Sequence, residues 1–202
     1  MNNLVAPLYA VSPGAGLIRP ATQCPSPNQD DRPDGMHPDL IILHGISLPP
    51  GEFGGDAIES FFTNCLDWDA HPYFAEIRDV CVSAHLLIRR DGDLVQFVPF
   101  ERRAWHAGES SFRGRPCCND YSIGIELEGT DDTPYTDAQY EHLAPVIKAI
   151  CKSYPGITAR QIAGHCDVAA GRKTDPGPAF DWLRLYDGLV GEVSSSDILN
   201  KP

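Results

Sequence analysis

The run Leu40-Ile41-Ile42-Leu43, closed by His44, constrains this chain more than any other segment. It is apolar and β-branched without alternation, the pattern of a strand buried within a sheet. The sequence also supplies partners for it. Ala84 to Arg89 and Leu94 to Val98 are strand-like, and Asp91-Gly92 between them signals a hairpin turn. Tyr121 to Glu128 alternates, with Ile123, Ile125 and Leu127 on one face and Ser122, Gly124, Glu126 and Glu128 on the other. That pattern sets Glu126 beside a glycine, on a face with room above it.

Helical signals lie between and after these strands. Asp56 to Cys65 reads as a short helix. Thr136 opens a longer one, with Gln139 three residues on completing a capping box. Tyr140, Leu143, Ala144, Ile147, Ile150, Cys151 and Tyr154 then recur at helical spacing, and Pro145 is expected to kink the run. A last helix is expected from about Ala179 to Gly188. The expected class is therefore mixed α/β: a single domain with a central mixed β-sheet flanked by helices. At 202 residues and 42% hydrophobic composition, the chain can bury one real core. Residues 1–38, rich in Pro, Gly, Asn and Asp, read as an irregular wrap on a domain spanning 39–190. Residues 191–202 read as a polar tail. Ser47 to Gly55, with two prolines and three glycines, reads as a shaped and mobile surface loop.

Charge and cysteine usage exclude several functions. A net charge of −12 repels phosphate backbones and anionic headgroups, so neither nucleic acid nor membrane is an expected partner. The apolar runs are far too short to span a bilayer. Met1-Asn2-Asn3-Leu4-Val5 carries no basic start, and Pro7 and Pro13 interrupt the residues after it, so a secretory signal is not expected. Seven cysteines, two of them adjacent at Cys117-Cys118 and none in a C-x-x-C pair, fit a reducing compartment. The expected location is the cytoplasm.

Chemistry gathers around two histidines. His44 closes a buried strand, a rigid place from which to aim an imidazole. His165 lies in Gly164-His165-Cys166-Asp167, followed by Lys173-Thr174-Asp175-Pro176-Gly177, where Pro and Gly pin the backbone just after a carboxylate. Two imidazoles and a carboxylate would leave a fourth position on Zn²⁺ for water, the pattern of a catalytic rather than a structural site. Zinc lowers the pKa of its water toward ~7 and polarises a carbonyl. Amide hydrolysis also needs a base and a positive group near the developing oxyanion, and Glu126 and Lys173 are suitable types. Spacing alone leaves alternatives open. A histidine at a strand end is more often a packing residue, and Asp-Pro-Gly more often a plain turn. Asp167, sharing a strand face with His165, competes with Asp175 as third ligand. Cys166 beside His165 invites a thiol-hydrolase reading, although strand neighbours point apart.

Longer stretches narrow this. Ile42 to Gly55 (ILHGISLPPGEFGG), Val82-Ser83-Ala84-His85 with Arg89-Arg90-Asp91-Gly92, Arg103 to Gly108 (RAWHAG), Ser122 to Thr130 (SIGIELEGT) and Gly164 to Trp182 come in order without a large gap. Together they resemble the zinc-dependent N-acetylmuramoyl-L-alanine amidases, the family shared with phage amidases and peptidoglycan recognition proteins, and most of all its cytosolic branch acting on 1,6-anhydro-muropeptides. The resemblance implies the zinc amidase fold and one Zn²⁺ per chain, held by His44, His165 and Asp175. It makes Glu126 the base for the water at the metal and Lys173 the cation that stabilises the oxyanion. It implies a soluble 1,6-anhydro-muropeptide substrate, cut between N-acetylmuramic acid and L-alanine during peptidoglycan recycling, and a monomer.

Trp105 is the candidate sugar contact, since an indole face packs on a pyranose; a core tryptophan is the competing reading. His85 and His106 are weighed as partners of the ligands but read better as core or surface histidines. Gly45 departs from the family, whose members carry Asn after the first zinc histidine. Recognition proteins reuse this fold without hydrolysis, so a non-catalytic muropeptide-binding module is the alternative.

Overall fold

The computed structural model describes residues 9–190. The polar tail expected from residue 191 lies outside the described residues, as does the first part of the expected N-terminal wrap. The described part of the N-terminal segment carries four short strands. β1 (Ala10–Ser12) and β2 (Leu17–Arg19) pair as an antiparallel ribbon, followed by β3 (Thr22–Gln23) and β4 (Gln29–Asp31). Within residues 9–38, then, the expected irregular wrap contains short strands. The strands are two or three residues long, too short to leave a periodic trace, and distant partners hold them. The Gln96 side chain accepts from Ile18 N at 2.8 Å and donates to Gly16 O at 2.9 Å.

The buried run forms β5 (Leu40–Ile46). Then come α1 (Ala57–Phe62), α2 (Pro72–Glu76), β6 (Leu86–Ile88), β7 (Leu94–Gln96), β8 (Arg102–Ala104), β9 (Ser111–Phe112), β10 (Arg115–Pro116) and β11 (Ser122–Glu128). The chain continues through α3 (Asp137–Ser153), β12 (Ile162–Gly164), α4 (His165–Val168) and α5 (Trp182–Leu189). Among the described residues six strands share one sheet in the order β12-β5-β11-β6-β7-β3. β11 runs parallel to both β5 and β6, and β12 parallel to β5; β6 and β7 form the expected antiparallel hairpin.

Both faces of this sheet are covered. Ile41, Leu43, Ile123, Ile125 and Leu127 meet Leu143, Ile147 and Ile150 of α3 and Leu185 of α5. Each such side chain, taken fully out of water, stabilises the fold by about 1.5–3 kcal/mol. On the opposite face Leu40 and Ile42 join Ala107, Tyr121 and Val168, while Phe61, Phe62 and Phe97 build a further cluster under α1 and α2. Every residue of β11 is buried, so its polar face does not look into open solvent as a simple alternating strand would.

Thr136 and Gln139 form the capping box. Gln139 does more than cap: its Nε2 donates to Ile88 O at 3.2 Å and Glu128 O at 2.9 Å, tying the start of α3 to the ends of β6 and β11. Pro145 sits inside α3, which runs on to Ser153. Arg32 is a second long-range tie. Its half-buried side chain donates to the carbonyls of Phe100, Asn119, Asp120 and Ser122, closing the N-terminal segment onto the start of β11.

Candidate metal centre

Two adjacent parallel strands deliver the two histidines. His44 lies near the end of β5, on the face that carries Leu40 and Ile42 rather than on the α3 face. β12 pairs with β5 on its other edge, and His165 comes directly after it as the first residue of α4. Asp175 comes from the loop after α4, and its backbone carbonyl accepts from Cys166 N at 2.9 Å, holding the loop against the helix start.

The three side chains converge. His44 Nδ1 lies 3.0 Å from His165 Nδ1 and 3.3 Å from Asp175 Oδ2, and His165 Nδ1 lies 3.1 Å from the same oxygen. Among the described residues this is the group of histidine, cysteine and acidic side chains that could hold a metal ion, with ligand atoms all within 4.8 Å of one another. Donors bound to Zn²⁺ at about 2.0–2.1 Å in a tetrahedron stand ~3.3 Å apart, so the spacing fits that ion.

Hydrogen bonding supports a cation as well. His165 spends its Nε2–H on the Ala107 carbonyl at 3.3 Å, which turns the bare Nδ1 lone pair toward the carboxylate. Two acceptors held face to face repel unless a positive charge lies between them. Burial lowers the pKa of His44 to about 4 although Asp175 pulls the other way, so the ring is neutral and able to bind a metal. For Asp175 burial opposes ionisation, but the close approach of His165 and His44 outweighs it and holds the carboxyl well below its ordinary range.

Glu126 pairs with His44 in the β11–β5 register, so the two side chains emerge side by side on one face. Its Oε2 is buried and has no hydrogen-bond partner within the protein. Burial first, then the charge of Asp175, pushes its pKa well above the usual value, while Lys173 opposes the shift. Lys173 is exposed, two residues before Asp175, and its charge is felt by both His44 and Glu126.

Trp105 is half-buried next to His106, and its indole helps to lower the pKa of Asp30, after Arg103. Asp167, the rival third ligand, has its Oδ2 on Gly164 N at 2.8 Å, where it caps the one-turn helix. Burial and the nearby Asp167 and Asp175 raise the pKa of Cys166, the wrong direction for a nucleophile. His85 is the packing histidine expected, accepting from Gly124 N at 3.0 Å. His106 is not: its Nδ1 lies 2.9 Å from His44 Nε2, in direct contact with one of the three converging side chains. The departure at Gly45 also has a local meaning. A Cβ there would sit 2.5 Å from the Tyr135 hydroxyl, which donates to Pro176 O at 3.0 Å, so Tyr135 fills the space of a side chain at that position.

The family model of the N-acetylmuramoyl-L-alanine amidases matches residues 34–178, a span that contains the whole cluster and Glu126. The chain belongs to this family. The 1,6-anhydro-N-acetylmuramyl-L-alanine amidase AmpD of Salmonella typhimurium is 59% identical over 186 residues, covering 92% of this amidase and 98% of the relative. The crystal structure of a selenomethionine derivative of AmpD superposes with a TM-score of 0.85 at 57% identity, over 87% of this chain and 97% of that one. AmpDh3 of Pseudomonas aeruginosa, solved in complex with anhydromuramic pentapeptide, gives a TM-score of 0.56 at 30% identity, over 77% of this chain and 61% of that one. The mixed sheet flanked by helices is thus the amidase fold. Among the described residues no helix is long and apolar enough to cross a membrane.

Proposed function

We propose that this amidase hydrolyses the amide joining 1,6-anhydro-N-acetylmuramic acid to L-alanine in soluble muropeptides, with one Zn²⁺ held by His44, His165 and Asp175. The observation that carries the reading is the buried Glu126 Oε2 without a hydrogen-bond partner, on a residue in register with His44 beside three converging metal-type donors. A binding module would have no need of a buried carboxyl kept without a hydrogen bond. When bound, zinc supplies an acidified water and a polarised carbonyl. Glu126 takes the proton from the attacking water and returns it to the departing amine of L-alanine. Lys173, exposed at the rim, sets its ammonium against the oxygen that gains charge as the carbonyl is attacked. Trp105 offers its ring face to the sugar.

The likeness to AmpD at 59% identity supports the substrate class and a place in peptidoglycan recycling. The seven free thiols support a reducing, cytoplasmic setting, and we propose that the enzyme works there as a monomer. Metal analysis with mass-spectrometric identification of products from an anhydro-muropeptide tests the reading. Stoichiometric zinc and release of free L-alanyl peptide are expected. Undiminished turnover by metal-free protein, or muropeptide binding without product, would overturn it.

A further inference from the structure

A chain of hydrogen bonds runs from His44 away from the metal cluster, and its far end has only one possible polarity. The Cys118 carbonyl can only accept, so Ser122 Oγ, 2.6 Å away, must donate its proton there. The Ser122 oxygen is then free to accept, and His106 Nε2, at 3.2 Å, must carry the proton it receives. A neutral His106 is left with a bare Nδ1. That nitrogen faces His44 Nε2 at 2.9 Å, so the proton between them belongs to His44. His44 in turn has a bare Nδ1, the atom that points at His165 and Asp175.

The ring that transmits this polarity is wedged in place. His106 meets His44 edge to face at 5.0 Å between centroids and His85 at 5.6 Å. Beneath it a Cβ on Gly124 would approach its ring atoms to 2.6 Å, so only glycine lets the imidazole lie on β11. Against the relay stands Asp175, whose carboxylate, 3.3 Å from His44 Nδ1, would draw the proton to the metal-facing side.

We infer that His106 and Ser122 are positioning residues: anchored on the Cys118 carbonyl, they hold the His44 proton on Nε2 and keep Nδ1 open for the metal. The tautomer stands on the hydrogen bonds alone, whereas its value for zinc affinity rests on the function proposed above. Partners of this kind are worth roughly 10–100-fold in metal affinity.

Imidazole ¹⁵N spectra of the full chain, zinc-loaded and after chelation, test the inference together with zinc affinity from chelator competition. In metal-free wild type, His44 is expected to be protonated on Nε2 even though Asp175 faces Nδ1. In His106→Leu the proton is expected to move to Nδ1, with zinc affinity falling roughly 10–100-fold. His106→Asn, which offers an amide oxygen near the lost Nδ1, is expected to restore both. Ser122→Ala is the milder variant should the leucine variant not fold, and is expected to shift both readouts in the same direction. His44 protonated on Nδ1 in the metal-free wild type would overturn the inference, as would unchanged tautomer and affinity in the folded variants. Wild type that binds no zinc yet carries the Nε2 proton would sink the functional reading and leave the positioning role standing.

Discussion

Glu126 and His44 face each other across the parallel register of β11 and β5, a carboxyl beside an imidazole on one sheet face. The carboxyl is 8% exposed and the imidazole 2%, so their separation is set by backbone hydrogen bonds rather than by flexible side chains. Glu126→Gln keeps the shape and removes the base. Turnover should fall by about 10²–10⁴-fold. Zinc content and KM should stay near wild type, because Glu126 is not one of the three proposed ligands. Measured kcat alongside metal content checks this, and a Gln variant with near-normal kcat would remove Glu126 from the chemistry.

Zinc should also act as a stabiliser. A ligand that binds only the folded chain adds about 2.7 kcal/mol when present at about 100 times its Kd. Chelation of the wild type should therefore lower Tm, and zinc should restore it. Asp175→Ala should lose turnover together with this zinc-dependent rise. Thermal scans with and without metal decide the point; an equal rise in the Asp175 variant would mean that the ion sits elsewhere.

Lys173→Met tests the cation at the rim. A preorganised positive group at a developing oxyanion is worth about 10²–10³ in kcat. KM should change little, and zinc content should hold. A variant that raised KM alone would make Lys173 a substrate anchor rather than an oxyanion partner.

Gln139 gives the strongest stability prediction away from the site. Gln139→Leu strips the buried Ile88 carbonyl of a donor and leaves Glu128 O with only the long bond from Arg90 at 3.4 Å, and losses of this kind cost about 1–3 kcal/mol. Thr136→Ala, which removes only the cap hydroxyl, should cost about 1 kcal/mol. Urea unfolding of the two variants should preserve that order.

Acid should weaken the fold through His85. Its ring is fully buried, and burial followed by the charge of Arg32 holds its pKa well below the ordinary value. The unfolded chain takes up a proton as pH falls through about 6.5, where the folded chain does not. The unfolded state thus binds more protons, and stability drops as pH falls below that point. Urea midpoints of metal-free protein should decline from about pH 7.5 to about pH 5.5, and less so in His85→Asn. A flat profile would contradict the buried neutral ring.

Much of this molecule is legible in contiguous sequence. β5 announces itself through Leu40 to Leu43, β11 through alternation, and α3 through Thr136 and Gln139, because each pattern depends on neighbours along the chain. The short strands before Asp39 are not legible, since Ile18 is held by Gln96 rather than by anything near it. The third candidate ligand is ambiguous for a similar reason: the Gly164 N–H claims Asp167, whereas Asp175 Oδ2 stands beside both histidines. His106 escapes for want of any local sign that it touches His44, which lies 62 positions away. The open question at Gly45 is answered by Tyr135, a residue from another part of the chain.

The two-residue period of β11 also has a consequence for quality control. Sliding this strand by one position against β5 would thrust Glu126 into the greasy layer under α3 and turn Ile125 or Leu127 toward the ligands. A misaligned chain would forfeit its packing and the proposed catalytic arrangement in the same stroke. Folding therefore proofreads the reaction centre: a well-packed molecule with its acidic group facing the wrong way is not an available state.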